Sequence, residues 1–179
     1  GYMPEKDTFG FTDLFRPDRF LSLVATLGML GAAFIIEHFA NAYALEYLLR
    51  PTSTYVGDIV LDNIPAVDLS LIIVEGALLG IVAVTLIIVF VKPRYFIFTF
   101  KAIALFIAIR ALFISLTHVG IYPGHIDLGL GLFDQIYSYL NFQTGFFFSG
   151  HTGLPFLMAL IFWETYAVRI AFMGLSFIF

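Results

Sequence analysis

Residues 95–116 read YFIFTFKAIALFIAIRALFISL, an apolar run interrupted by only two charged side chains, Lys101 and Arg110. A helix over this run would be about 33 Å long, close to the roughly 30 Å hydrocarbon core of a bilayer. Comparable runs occupy residues 20–40, 71–91 and 146–163, and a fifth begins at residue 167 and continues to 179. Since none alternates with the two-residue period of a barrel strand, we predict an all-α, polytopic transmembrane helix bundle with four full spans and the start of a fifth.

The composition of the chain agrees with a membrane protein. Of its 179 residues, 60% are apolar, 18% aromatic and 12% charged, and the mean hydropathy is +0.96. Soluble domains carry about 25% charged residues, so this composition excludes a water-soluble domain. The net charge of −4 and the scattered basic residues exclude a nucleic-acid partner. Because cysteine is absent, a disulfide framework and thiolate metal sites are excluded as well.

The basic residues predict the orientation of the spans. Six of them precede the first span or lie between alternate spans: Lys6, Arg16, Arg19, Lys92, Arg94 and Arg169. Only Arg50 lies in a loop on the other side, so we expect a cytoplasmic N-terminus. Residues 1–19 then form a cytoplasmic segment, and residues 20–179 form the transmembrane domain. The loops 41–70 and 117–145 face the non-cytoplasmic side.

Ionisable side chains recur at one depth in the outer half of the predicted bundle. Four runs supply them: Glu37 and His38, Glu75, Arg110, and His151. Such groups are costly in a bilayer and often functional, so their clustering predicts a polar pocket that opens outward. Purely structural roles are also open, in which Glu75 pairs with Arg110 while Glu37 and His38 reach head-group water.

Lys101 is the exception in depth. It lies nearer the cytoplasmic end of the third run, and we expect its ammonium group to extend toward that side.

A polar motif, Ser149-Gly150-His151-Thr152, opens the fourth apolar run. At the N-terminus of a helix, backbone N–H groups and the positive end of the dipole favour an anion. Gly150 permits a close approach, the hydroxyls of Ser149 and Thr152 can donate, and His151 can supply a proton. The structural alternative is that Ser149 is a helix N-cap and His151 an interfacial imidazole.

This motif at the head of a membrane helix resembles the second signature of the type 2 phosphatidic acid phosphatase superfamily, in particular its sphingomyelin synthase branch. Arg110 followed by Thr117 matches the spacing of a third-span motif in that branch. The segment Ile64-Pro65-Ala66-Val67-Asp68 is similar to a short motif before the second span. The resemblance covers roughly residues 60–179 and implies six spans in the complete protein.

The chain also departs from the family. An Arg pair and a Tyr in the third-span motif are replaced by Ile97, Phe98 and Ile107. The family's second His and its Asp, in a His-x3-Asp motif at the outer end of the next helix, are missing, and His125-Ile126-Asp127 has the wrong spacing. We expect the fifth run to break off at Phe179 before it reaches the level of the motif. The domain would then be C-terminally incomplete, with His-x3-Asp about 10–20 residues further on.

The resemblance implies a membrane lipid-phosphate enzyme that transfers or hydrolyses a phospholipid head group through a phosphohistidine, without a metal or cofactor. It makes His151 the general acid, and it makes Ser149, Gly150, Thr152 and Arg110 phosphate ligands. The partners would be membrane lipids, namely a phospholipid donor and ceramide or diacylglycerol as acceptor, at an active site on the non-cytoplasmic face. The chain alone would be inactive because the nucleophile is missing.

The resemblance does not distinguish a synthase from a phosphatase. Two other functions remain open, a non-catalytic lipid-binding or scaffold protein of the same fold and a fragment of a transporter.

Overall fold

A computed structural model of the chain describes residues 9–48, 63, 76–117 and 149–178. All regular secondary structure in these residues is helical, which confirms the all-α prediction. Two of the described helical segments, Pro17–Tyr47 and Pro93–Leu116, are long and apolar enough to cross a membrane.

Five α-helices make up the described part of the chain: α1 (Pro17–Leu48), α2 (Gly76–Leu86), α3 (Phe96–Leu116), α4 (Gly150–Ile161) and α5 (Tyr166–Ile178). A π-helical turn, Ile87–Val91, extends α2, and the 3-10 turn Pro93–Tyr95 leads into α3. The third apolar run therefore forms a helix within one residue of its predicted bounds. Residues 71–75 and 146–148 of the second and fourth runs lie outside the described residues.

Helix α1 is longer than its apolar run predicts. The run ends at Ala40, whereas the helix continues to Leu48. Residues 41–48 contain neither Gly nor Pro and include the strong helix formers Ala, Leu and Glu, so nothing in them stops the helix. Glu37 consequently lies well inside α1, whereas an end of the helix at Ala40 would place it within the last turn.

Helices α1 and α3 lie side by side and run in the same direction. At the N-terminal ends of the two helices, the rings of Phe11, just before α1, and Phe96, the first residue of α3, are 5.8 Å apart. Further along, small side chains form the contact between the helices: Ala33 with Ala104 and Ile107, then Ala40 and Ala44 with Ala111 and Ile114. Small residues let two helix backbones approach closely, and this interface is the main contact of α1.

Helices α4 and α5 form an antiparallel hairpin that packs on the end of α2 and the start of α3. Its buried core contains Ile88, Met158, Ala159, Phe162 and Phe172. The ring of Phe162, just after α4, lies 5.7 Å from that of Tyr95, just before α3. Since α4 ends where α3 begins, α4 runs opposite to α3.

The helix directions bring five basic residues to one end of the bundle. These are Arg16 and Arg19 at the start of α1, Lys92 and Arg94 before α3, and Arg169 in the first turn of α5. The guanidinium of Arg169 lies over the ring of Trp163 at 4.5 Å and donates to the Trp163 carbonyl oxygen at 3.3 Å. Aromatic and basic side chains of this kind are typical of a membrane–water interface.

The outer surface of the described helices is strongly apolar. Leu21 is 78% exposed, Phe90 77% and Phe177 94%, and many other large apolar side chains are exposed as well. So many exposed large apolar side chains among the described residues favour association with a membrane.

We expect Ala111→Leu to destabilise the bundle, because Ala111 is 1% exposed at the contact between α1 and α3. Overpacking of a buried site lowers the free energy of unfolding by about 1–3 kcal/mol, which would appear as a lower thermal midpoint in detergent micelles. Ala42→Leu makes the same change at an exposed position of α1 and should leave the midpoint near that of the wild type. Equal midpoints for the two variants would contradict the interface.

Candidate functional site

A buried ion pair joins α1 to α3. Nη1 of Arg110 donates to Oε1 of Glu37, and the two side chains are only 5% and 4% exposed. From the sequence, the structural alternative pairs Arg110 with Glu75 and lets Glu37 reach head-group water. Glu75 lies outside the described residues, and the water-facing role of Glu37 is wrong because the longer α1 buries its carboxylate against α3. A charge at such a position is tolerated only when a partner compensates its lost hydration.

Arg110 also reaches the first residue of α4. A Cβ atom added to Gly150 would lie 3.5 Å from Nε and 3.8 Å from Cζ of Arg110. The guanidinium therefore packs against the N-terminus of α4, and the absence of a side chain at Gly150 leaves room beside it. This contact brings Arg110 and the motif at residues 149–152 together, although 39 residues separate Arg110 and Ser149 in the sequence.

His151 lies next to this contact in the first turn of α4. Its side chain is partly buried, and the positive charge of Arg110 acts on its imidazole. When His151 is protonated the two groups repel each other, and an anion between them would relieve the repulsion. The arrangement thus favours a negatively charged ligand.

Ser149 caps α4. Its backbone is extended (φ −64°, ψ 121°), and its Oγ accepts a hydrogen bond from the N–H of Thr152 at 3.4 Å. The N-cap role that the sequence analysis offers for Ser149 is therefore present. A hydroxyl that accepts one hydrogen bond can still donate another, so a cap and a phosphate ligand are compatible roles.

Thr152 connects the motif to α5. Oγ of Ser176 donates to the Thr152 carbonyl oxygen at 2.9 Å. The expectation that the fifth run ends short of this level is therefore wrong. Helix α4 has 12 residues, about 18 Å, so an antiparallel partner of 13 residues is long enough to return to its first turn.

Thr117 lies at the end of α3, where its Oγ1 donates to the Phe113 carbonyl oxygen at 2.7 Å. Its seven-residue spacing from Arg110 is close to two helical turns, so the two residues share one face of α3. Thr117 is about 10 Å further along the helix axis, beyond the contact between Arg110 and Gly150.

The other ionisable residues in the apolar runs lie elsewhere. His38 is exposed, with its ring 5.8 Å from that of Phe39, and Lys101 is half-buried on α3. The acidic and histidine residues of the loop 117–145 and the segment 64–68 lie outside the described residues. Of the groups predicted to share one depth, the structure therefore places Glu37, Arg110 and His151 together.

Sequence reasoning misses two polar residues of this region, Asn41 and Ser176. Asn41 is fully buried one turn after Glu37, and its Nδ2 donates to the Glu37 carbonyl oxygen at 2.9 Å. A buried Asn one turn from a buried Glu indicates a polar face on α1, and this spacing could have been recognised. Ser176 carries no such signal, since a lone Ser in an apolar helix commonly bonds within its own helix.

In the part of the chain that the structure describes, no group of three or more His, Asp or Glu side chains could hold a metal ion. The site offers instead a guanidinium, an imidazole and a helix N-terminus, which are the groups that proteins use to bind phosphate.

Comparison of the chain with known proteins finds no matching family model, no matching curated protein and no matching solved structure. Its functional interpretation therefore depends on the geometry of Glu37, Arg110 and residues 149–152, together with the resemblance of the motif.

We expect Glu37→Gln and Arg110→Gln to lower the free energy of unfolding by about 3–5 kcal/mol each, because each leaves the other charge buried without compensation. The double variant should lose clearly less than the sum of the two losses. Thermal or denaturant unfolding in detergent micelles measures all three values. Glu46→Gln, at an exposed carboxylate of α1, should show no such coupling with Arg110→Gln. Additive losses for Glu37 and Arg110 would contradict the pairing.

Proposed function

We propose that this chain binds the phosphate group of a membrane lipid and belongs to an enzyme that transfers or hydrolyses the phospholipid head group. The observation that carries the proposal is the contact of the Arg110 guanidinium with Gly150, at the N-terminus of α4 and beside His151. These groups come from distant parts of the sequence, and they meet where the motif resembles that of lipid phosphatases and sphingomyelin synthases.

Phosphate binding follows from the chemistry of these groups. The N-terminus of α4 presents N–H groups and the positive end of the helix dipole. Arg110 adds a permanent positive charge with several directed donors. Because Gly150 has no side chain, a phosphate oxygen can approach the backbone and the guanidinium together. Ser149 and Thr152, which the resemblance implies as phosphate ligands, complete the proposed set.

The membrane arrangement that we propose places this site toward the non-cytoplasmic face. Five basic residues share the opposite end of the bundle, and basic residues concentrate on the cytoplasmic side of membrane proteins. Helices α1 and α3 would each span the bilayer, and α2, α4 and α5 would belong to the further spans that the apolar runs predict. A phospholipid could then place its phosphate at the site while its acyl chains stay in the hydrocarbon.

The proposed reaction uses His151 as the general acid. A nucleophile attacks phosphorus, the bond from phosphorus to the leaving-group oxygen breaks, and the proton of His151 passes to that oxygen. The resemblance assigns the attack to the His of a His-x3-Asp motif, which this sequence does not contain. Ser176 bonds to Thr152, so α5 reaches the level of the site within the described residues. Water or a lipid hydroxyl would then accept the phosphoryl group.

A non-catalytic lipid-binding protein is the second candidate. The lack of a His-x3-Asp motif in these 179 residues favours it, because the phosphate site could bind lipid without a nucleophile. A complete protein carrying His-x3-Asp would separate the two functions through a His151→Ala variant. Loss of head-group release would support the enzyme, and unchanged handling of the lipid would support the binding protein.

We expect Gly150→Ala to weaken phospholipid binding about tenfold while the fold is retained. The added methyl group would meet Arg110 at ordinary van der Waals distance and would fill the space proposed for a phosphate oxygen. Calorimetric titration of the chain in dodecyl maltoside with dioctanoyl phosphatidylmethanol measures the affinity.

The matched control is Gly174→Ala, since a Cβ there meets nothing within 4 Å. This variant should bind lipid like the wild type and be slightly more stable, because Ala is a better helix former than Gly. Unchanged affinity in Gly150→Ala would contradict the phosphate site.

We also expect the 179-residue chain to bind phospholipid without releasing its head group. Thin-layer chromatography of a fluorescent phosphatidylcholine, incubated with the chain and with ceramide, measures release and transfer. Turnover that disappears in His151→Ala would show that the nucleophile lies within these 179 residues, contrary to the assignment from the resemblance.

A further inference from the structure

We propose that Glu37 is a positioning residue that sets the charge of the site, so that the site prefers a phosphate group with one negative charge over one with two. This proposal rests on the proposed function and concerns its specificity.

Glu37 acts on the site through Arg110. Its carboxylate engages Nη1 of the guanidinium, whereas Nε is the nitrogen that lies nearest Gly150. A Cβ on Gly150 would lie 3.5, 3.8 and 3.9 Å from Nε, Cζ and Cδ, nearly equal distances that place it over the flat face of the guanidinium. Glu37 therefore holds Arg110 from the side of α1 while this face lies against the N-terminus of α4.

The position of Glu37 keeps its charge within the bundle. The carboxylate is 4% exposed, so water and salt screen it poorly. One turn further, the fully buried Asn41 donates to the Glu37 carbonyl oxygen, so this buried amide is also satisfied within α1. Every ligand that approaches Arg110 is thus also within the field of a fixed negative charge.

The charge balance decides which phosphate the site accepts. Glu37 and Arg110 cancel, so among the described residues the ion pair presents no net charge to a ligand. A phosphodiester adds one negative charge to the apolar bundle. A phosphomonoester adds close to two at neutral or higher pH, and the second charge raises the cost of desolvation. Glu37 therefore favours an esterified head group over a terminal phosphate.

The test compares two lipids that differ by one methyl group on the phosphate, dioctanoyl phosphatidylmethanol and dioctanoyl phosphatidate. At pH 8.0 the first is a monoanion and the second is close to a dianion. Calorimetric titration of the whole chain in dodecyl maltoside gives the ratio of their affinities. We expect the wild type to bind phosphatidylmethanol about tenfold more tightly or better. Glu37→Gln should shift that ratio about tenfold or more toward phosphatidate, since a buried charge is removed.

Two variants control for a purely structural effect. Glu37→Asp keeps the carboxylate and should keep the wild-type order of the lipids even where both affinities fall. Glu46→Gln removes an exposed carboxylate from the same helix and should leave the ratio unchanged. A loss of packing alone would lower the affinities for both lipids together and would leave the ratio of the two affinities unchanged.

The proposal on Glu37 is overturned if the wild type binds the two lipids equally or prefers phosphatidate, or if a folded Glu37→Gln keeps the wild-type ratio. If Glu37→Gln does not fold, the proposal is tested by the affinity ratios of the wild type and of Glu37→Asp. Equal affinities for the two lipids, or a preference for phosphatidate, in either protein would overturn it. Saturable binding of both lipids with equal affinity would support the proposed phosphate site and would contradict only the role of Glu37. Saturable binding of neither lipid would overturn the proposed function as well.

Discussion

The ion pair between Glu37 and Arg110 is the constraint on which the geometry of the bundle depends. Two charges buried between apolar helices are tolerable only if their atoms meet, so the pair fixes both the register and the rotation of α1 on α3. The alanines on either side of the pair let the two helices approach closely enough for the contact to form. The same rotation places the flat face of the guanidinium against Gly150, so one interaction stabilises the fold and orients the guanidinium.

The hairpin of α4 and α5 brings the other half of the site to this guanidinium. Because α4 starts beside Arg110 and ends beside Tyr95, its N-terminus lies at the level of the ion pair and its far end lies among the basic residues. The hydrogen bond from Ser176 to Thr152 keeps α5 aligned with the first turn of α4. A polar site in one half of the bundle and a basic, aromatic border at the other end are both consequences of helix direction.

The sequence predicts correctly those features of this protein that depend on residues within a single helix. The bounds of α3 follow from an apolar run that begins after Pro93 and ends at Thr117, and the cap of α4 follows from a Ser before a helical run. The depth of Glu37, Arg110 and His151 also follows from the sequence. Their partners do not, because depth gives no information on which faces of different helices meet. By depth alone Glu75 and Glu37 are equivalent partners for Arg110, and the pairing with Glu37 follows only from the packing of α1 on α3.

The pairing with Glu37 also bears on a physical conflict in the proposed phosphate site. An unpaired arginine inside an apolar bundle would be a buried, uncompensated charge whenever the site is empty, which costs several kcal/mol. A resident carboxylate removes that cost, but it also lowers the net attraction for the ligand. A second positive charge that forms only with the ligand would offset this loss, and in the proposed site His151, whose imidazole is beside Arg110, would supply it. The proton taken up with the phosphate would then be the proton that the proposed reaction transfers to the leaving group.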